Sequence, residues 1–128
     1  MKIHPVPGDG NCMFYSCAFF LDIDHQELRH LVAQVMCDYP DLPISGIPLS
    51  IWIEETGYGT CYPNHVAQDG FYGSALELTL ISIMFRRTIY VFKQNSEGEF
   101  KQIADYFPGF GNEFRLLWSG DHYNPITD

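Results

Sequence analysis

The sequence predicts an α+β domain in which helices from the first two thirds of the chain pack around a small central β-sheet supplied by the last third. Three observations predict it. Segments 12–21, 24–37 and 74–87 carry apolar residues at helical spacing. The runs TIYVF at 88–92 and FRLLW at 114–118 are β-branched and aromatic, the composition of strands. Hydrophobic residues make up 46% and aromatics 16% of 128 positions, enough for one buried core and hence a single domain over 1–128.

The elements follow in order. Residues 3–11, IHPVPGDGN, hold two prolines and two glycines and read as a loop. CMFYSCAFFL continues as a helix, with Asp9 or Asn11 available to cap it. Asp24 caps a second helix whose apolar face is Leu28, Leu31, Val32, Val35 and Met36, and Pro40 and Pro43 end it. Residues 48–56 read as a short helix with Pro48 in its first turn. The Gly-, Tyr-, Asn- and Pro-rich stretch 57–73 reads as loop. A third long helix runs from Ser74 to Arg87, the two arginines suiting its negative end. Strand 88–92, a turn at 95–98, a hairpin partner at 100–106, the glycine-rich connector 108–112 and strand 114–118 complete the chain up to its tail, HYNPITD.

Charge narrows the function classes. Sixteen acidic side chains against 7 basic give a net charge of -9. Phosphate backbones and anionic membranes need clustered Lys and Arg, so no nucleic-acid or membrane partner is expected. A basic partner would be steered in, although acidity also serves plain solubility. No apolar run approaches ~18 residues, and MKIHPVPGDG has no apolar signal core, so a cytoplasmic location is expected. Cys12, Cys17, Cys37 and Cys61 form no CxxC pair, and no metal cage or cofactor is expected. Three of them are expected to pack as small hydrophobes, which leaves one to react.

The chemistry concentrates at the two ends. In GDGNC, residues 8–12, a cysteine stands at the start of a helix, where free N–H groups favour a thiolate. The glycines allow a sharp turn, and loop amides pointing inward are available to bind an oxyanion. The same turn is also ordinary loop chemistry, and a cysteine in an apolar helix is usually inert. Near the other end stand His122, Tyr123 and Asn124. Residues two apart on an extended chain share a face. Asn124 is therefore expected to accept the Nδ1 proton of His122 and fix its ring. His4, His25, His30 and His65 are expected to be solvated, with His65 a secondary candidate for lining a substrate loop.

Together these residues resemble the ovarian-tumour (OTU) family of deubiquitinating cysteine proteases. The resemblance rests on Gly8-Asp9-Gly10-Asn11-Cys12-Met13-Phe14, on Asp69-Gly70-Phe71-Tyr72-Gly73 followed by Ala75-Leu76-Glu77-Leu78, on Thr88–Phe92, and on His122-Tyr123-Asn124. It implies a papain-like cysteine protease fold with Cys12 as nucleophile, His122 as base, Asn124 as its orienter and Asp9 as the aspartate shaping the oxyanion loop. The amides of Gly10, Asn11 and Cys12 would be its oxyanion donors, and Tyr123 would wall the groove for a Gly-Gly tail. The implied substrates are ubiquitin and polyubiquitin chains, with ubiquitin-like modifiers a further class, for a monomer working without cofactor or metal. An inactive ubiquitin-binding module of the same fold is the alternative. In a virus or bacterial pathogen the place of action would be host cytoplasm. Two positions depart from the family pattern: Tyr15 stands where arginine is usual, and Tyr72 where tryptophan is frequent.

Overall fold

A computed structural model describes all 128 residues, Met1–Asp128. Strand β1 (Lys2–Ile3) leads by a loop into α1 (Cys12–Leu21) and α2 (His25–Asp38). A small hairpin, β2 (Pro43–Ile44) and β3 (Ile47–Pro48), precedes α3 (Leu49–Glu54), a 3₁₀ turn at Gly59–Cys61, α4 (Tyr62–Val66) and α5 (Ala75–Phe85). The chain then turns to β4 (Ile89–Gln94), β5 (Phe100–Tyr106), a 3₁₀ turn at Pro108–Phe110, β6 (Phe114–Trp118) and β7 (Tyr123–Thr127). The five-stranded sheet has the order β1-β7-β6-β4-β5. β4 and β6 run parallel and the other neighbours antiparallel.

Helices α2 and α5 start where side-chain chemistry starts them. Asp24 accepts the N–H groups of Gln26 and Glu27 at the head of α2. Ser74 and Glu77 form a capping box on α5. α1 is apolar almost all round and is correspondingly buried through Met13, Phe14 and Cys17. It packs against β7 and β6, which brings the start and the end of the chain together.

The structure corrects several expectations. The stretch 57–73 is not all loop. Pro63 opens α4, and burial of Tyr62 and Val66 stabilises this short helix that propensity alone would leave unformed. Residues 2–3 form an edge strand rather than loop, because β7 offers them a ladder. Pro48 caps α3 from outside, and the hairpin before it went unforeseen. On α2 the buried stripe is rotated from the expected one. Leu31 is exposed, and Arg29 is fully buried with Leu28, Val32, Ala33 and Met36. Arg86 ends α5 in the left-handed conformation, while Arg87 turns away to donate to the carbonyls of Phe20 and Asn112. The 108–112 connector is tied down by reciprocal bonds between Thr88 and Gly111.

Candidate active site

The site begins with a close approach of two loops. Gly10 has φ +87°, and a Cβ there would meet the Gly70 carbonyl oxygen at 2.2 Å. Only glycine satisfies both the backbone angle and the contact. The chain then enters α1 with Cys12 as its first residue and Asn11 in the cap position. Asn11 does not cap the helix with its side chain. Its Oδ1 accepts the Gly70 N–H at 2.8 Å and an Arg29 guanidinium N–H at 2.8 Å, and its Nδ2 donates to Asp69 at 3.1 Å. Asp69 also takes the Gln26 side-chain amide, and these bonds hold its carboxyl below the usual range.

The other half of the site hangs on β7. A tight turn closed by the Ser119 N–H to His122 carbonyl bond, 2.9 Å, sets the position of His122. The next backbone amide, of Tyr123, donates to Cys12 Sγ at 3.4 Å across 111 residues of sequence. The backbone next to the base candidate thus reaches the nucleophile candidate at the start of β7. Cys12 is 2% exposed, so a substrate carbonyl has a narrow line of approach to the sulfur.

The protonation pattern of His122 follows from its neighbours. Asn124 accepts the Val6 N–H at 3.1 Å, and a backbone amide only donates, so the atom facing it is the oxygen Oδ1. The same oxygen lies 3.0 Å from His122 Nε2. That nitrogen must therefore carry its proton, which leaves Nδ1 as the lone pair of the neutral ring. This corrects the expected pairing. Asn124 holds Nε2, because the long reach of the ring places its far nitrogen beside the residue two along the strand. Nδ1 faces the loop instead: a Cβ on Gly8 would stand 3.7 Å from it.

The remaining candidates fall close by. Asp9 is exposed, and its carboxylate accepts the Asn11 N–H at 3.2 Å. Of the three amides considered for an oxyanion, that of Asn11 is thus engaged, while those of Gly10 and Cys12 have no partner in the chain. Tyr123 is buried, its ring 6.4 Å from that of the exposed Tyr72, and burial pushes its phenol up. Concavities of about 670 Å³ beside Met36 and Ile53 and about 520 Å³ beside Trp52 and Leu76 are not lined by Cys12, His122 or Asn124.

The other histidines and thiols sort themselves by packing. Only His30 is exposed as expected. His4 bonds Thr127 at 2.8 Å, His25 stacks on Tyr15 at 3.7 Å, and His65 packs between Tyr58 and Phe71. Neighbouring aromatic faces draw these rings in. Cys17 alone of the other thiols is buried, and burial pushes it far up and out of reactivity. Cys37 and Cys61 are exposed rather than packed. Sequence reasoning missed Arg29, Asp69 and Val6 as supports. Arg29 had a signal: 29, 32, 33 and 36 share a helix face.

A family model described as OTU-like cysteine protease matches residues 7–123. The chain belongs to that family. This OTU domain is 26% identical over 129 residues to the ubiquitin thioesterase OTU1 of Rattus norvegicus. The match covers 94% of the chain and 34% of the rat protein, so the OTU domain spans about a third of that relative's length. The solved OTU domain of OTUD1 is 20% identical, with a TM-score of 0.76, over 99% of this chain and 85% of that one. An ovarian-tumour domain solved in complex with ubiquitin is 19% identical, with a TM-score of 0.77, over 98% and 69%. The α+β architecture described above is therefore the OTU fold. No helix of the OTU domain is long and apolar enough to cross a membrane.

Proposed function

We propose that this OTU domain is a deubiquitinating cysteine protease that hydrolyses isopeptide bonds at the C-terminal glycine of ubiquitin. The observation that carries the reading is the geometry around one sulfur. Cys12 begins a helix and takes a bond from the N–H of Tyr123, whose neighbour His122 carries an imidazole with its Nε2 held by Asn124. A relative whose name describes a ubiquitin thioesterase, and a solved domain of the same fold in complex with ubiquitin, support ubiquitin as the substrate class.

His122 Nδ1 removes the thiol proton, and Cys12 Sγ bonds to the carbonyl carbon of the terminal glycine. The carbonyl oxygen becomes an oxyanion, for which the free amides of Gly10 and Cys12 are donors. Collapse of the tetrahedral intermediate breaks the C–N bond, and His122 returns its proton to the departing lysine nitrogen. A thioester remains. Water then gives a proton to His122 and attacks the thioester, and expulsion of the Cys12 thiolate frees the ubiquitin carboxylate. Val6 and Asn124 hold the imidazole in one tautomer through both halves. The partners on this reading are ubiquitin, its chains and ubiquitin-like modifiers, met by a monomer in the cytoplasm.

A ubiquitin carrying a C-terminal electrophile tests the proposal. The expected result is a covalent adduct on the peptide containing Cys12, absent from Cys12→Ala. Ubiquitin binding without capture would mark an inactive binding module and overturn the reading.

A further inference from the structure

Resting on the reading of Cys12 as the reactive centre, we propose that Arg29 is the positioning residue of this site. Acting through Asn11, its guanidinium holds the loop that presents the thiol and the free amides of Gly10 and Cys12. Three oxygens from two segments converge on that group: Asn11 Oδ1 at 2.8 Å, the Val66 carbonyl at 2.8 Å and the Phe71 carbonyl at 2.9 Å. Its central carbon lies 4.3 Å from the centre of the Phe14 ring.

Arg29 is an expensive way to fill space. It is fully buried, and no carboxylate pairs with it, since the one ion pair of the chain joins Arg115 and Asp128. Burial weakens its hold on the proton, and the more distant Asp69, Glu77 and Asp9 only partly offset this. An apolar side chain of similar volume would commonly stabilise such a site at least as well. The planar fork provides direction instead, fixing acceptors that belong to different loops.

Asn11 is the piece that direction acts on. Its carboxamide receives Arg29 and Gly70 on the oxygen and donates from the nitrogen to Asp69. Rotating it breaks all three bonds. Asn11 is covalently joined to Gly10 and to Cys12, so once those bonds are lost its side chain no longer anchors the stretch of backbone that carries both free amides and the sulfur. The 66–71 segment that receives Arg29 is the same one that Gly10 touches. The guanidinium thus registers the two loops against each other.

The test is a double-mutant cycle on a fluorogenic ubiquitin C-terminal amide, using Arg29→Met, Asn11→Ala and the pair. Each single variant is expected to lose about 100-fold in kcat, the scale of a ~1 Å misplacement, with KM little changed. The pair is expected to lose no more than the worse single, because both remove one tie. Additive losses, or an intact kcat with only a lowered unfolding midpoint, would overturn the proposal. Asn11→Ala keeps both carbonyl bonds of Arg29, and if Arg29→Met does not fold, an unchanged kcat in Asn11→Ala is enough to overturn it. A wild-type protein inert towards ubiquitin would sink the function reading alone. The tie is then read from iodoacetamide labelling of the Cys12 peptide relative to those of Cys37 and Cys61. A slower relative rate in both variants supports the proposal, and an unchanged one overturns it.

Discussion

At the scale of single residues, the roles assigned to His122 and Asn124 differ in kind. As the proposed base His122 would move protons, a contribution worth ~10²–10⁴-fold, so His122→Ala should lower kcat/KM on a ubiquitin substrate by that order. Asn124→Ala removes the acceptor that fixes the tautomer but leaves the base, and should cost clearly less. Equal losses in the two variants would show that Asn124 does more than orient. Gly10 is tested by stability as well as rate. Gly10→Ala puts an L side chain at φ +87° against the Gly70 carbonyl. The backbone alone costs about 1–2 kcal/mol, and the contact adds to it. A urea unfolding curve should register at least that loss, and one superimposed on the wild type would refute the loop contact.

Among the elements, the helix starts carry the clearest predictions. Asp24→Ala leaves the N–H groups of Gln26 and Glu27 unpaired and should cost about 1 kcal/mol in unfolding free energy with an unchanged m-value. The head of α5 adds a pH dependence. Glu77 is fully buried, and desolvation raises its carboxyl above the usual value of 4.5 despite bonds from Tyr62 and Ser74. The folded protein therefore holds this proton more tightly than the unfolded chain does. The contribution of Glu77 is full below its ordinary range and is lost as pH rises through the folded value. Wild type should show that falling limb in chemical denaturation, and Glu77→Gln should flatten it. Helices 12–21 and 24–37 and the strands β4, β5 and β6 were legible in sequence because propensity and pattern agreed over their length. α4 was not, since five residues rich in turn formers become helical only when Tyr62 and Val66 find a core.

Over the whole molecule, charge and closure matter most. With a net charge of -9, the domain should associate faster with a basic partner at low ionic strength. Raising salt shortens the screening length from about 10 Å at 0.1 M to about 3 Å at 1 M. The second-order rate on ubiquitin substrates should fall over that range while single-turnover kcat holds. A salt-independent kcat/KM would remove electrostatic steering from the account. Closure is the work of the sheet. β7 pairs with β1 and β6 and carries α1 across it, so thiol, imidazole and carboxamide from distant sequence share one strand end.

The sequence alone determined which residues could react and which segments could become regular, because these depend on side-chain chemistry and on neighbours a few positions away. Glycine before a helix-leading cysteine, and histidine two residues before asparagine, are local facts. Tertiary structure decided which nitrogen of His122 faces Asn124, that Val6 selects its tautomer, that Leu31 faces water, and that a buried guanidinium ties Asn11 to the 66–71 loop. Those outcomes turn on angles and distances between segments far apart in the chain. No pattern of adjacent residues encodes them until the core sets where each segment lies.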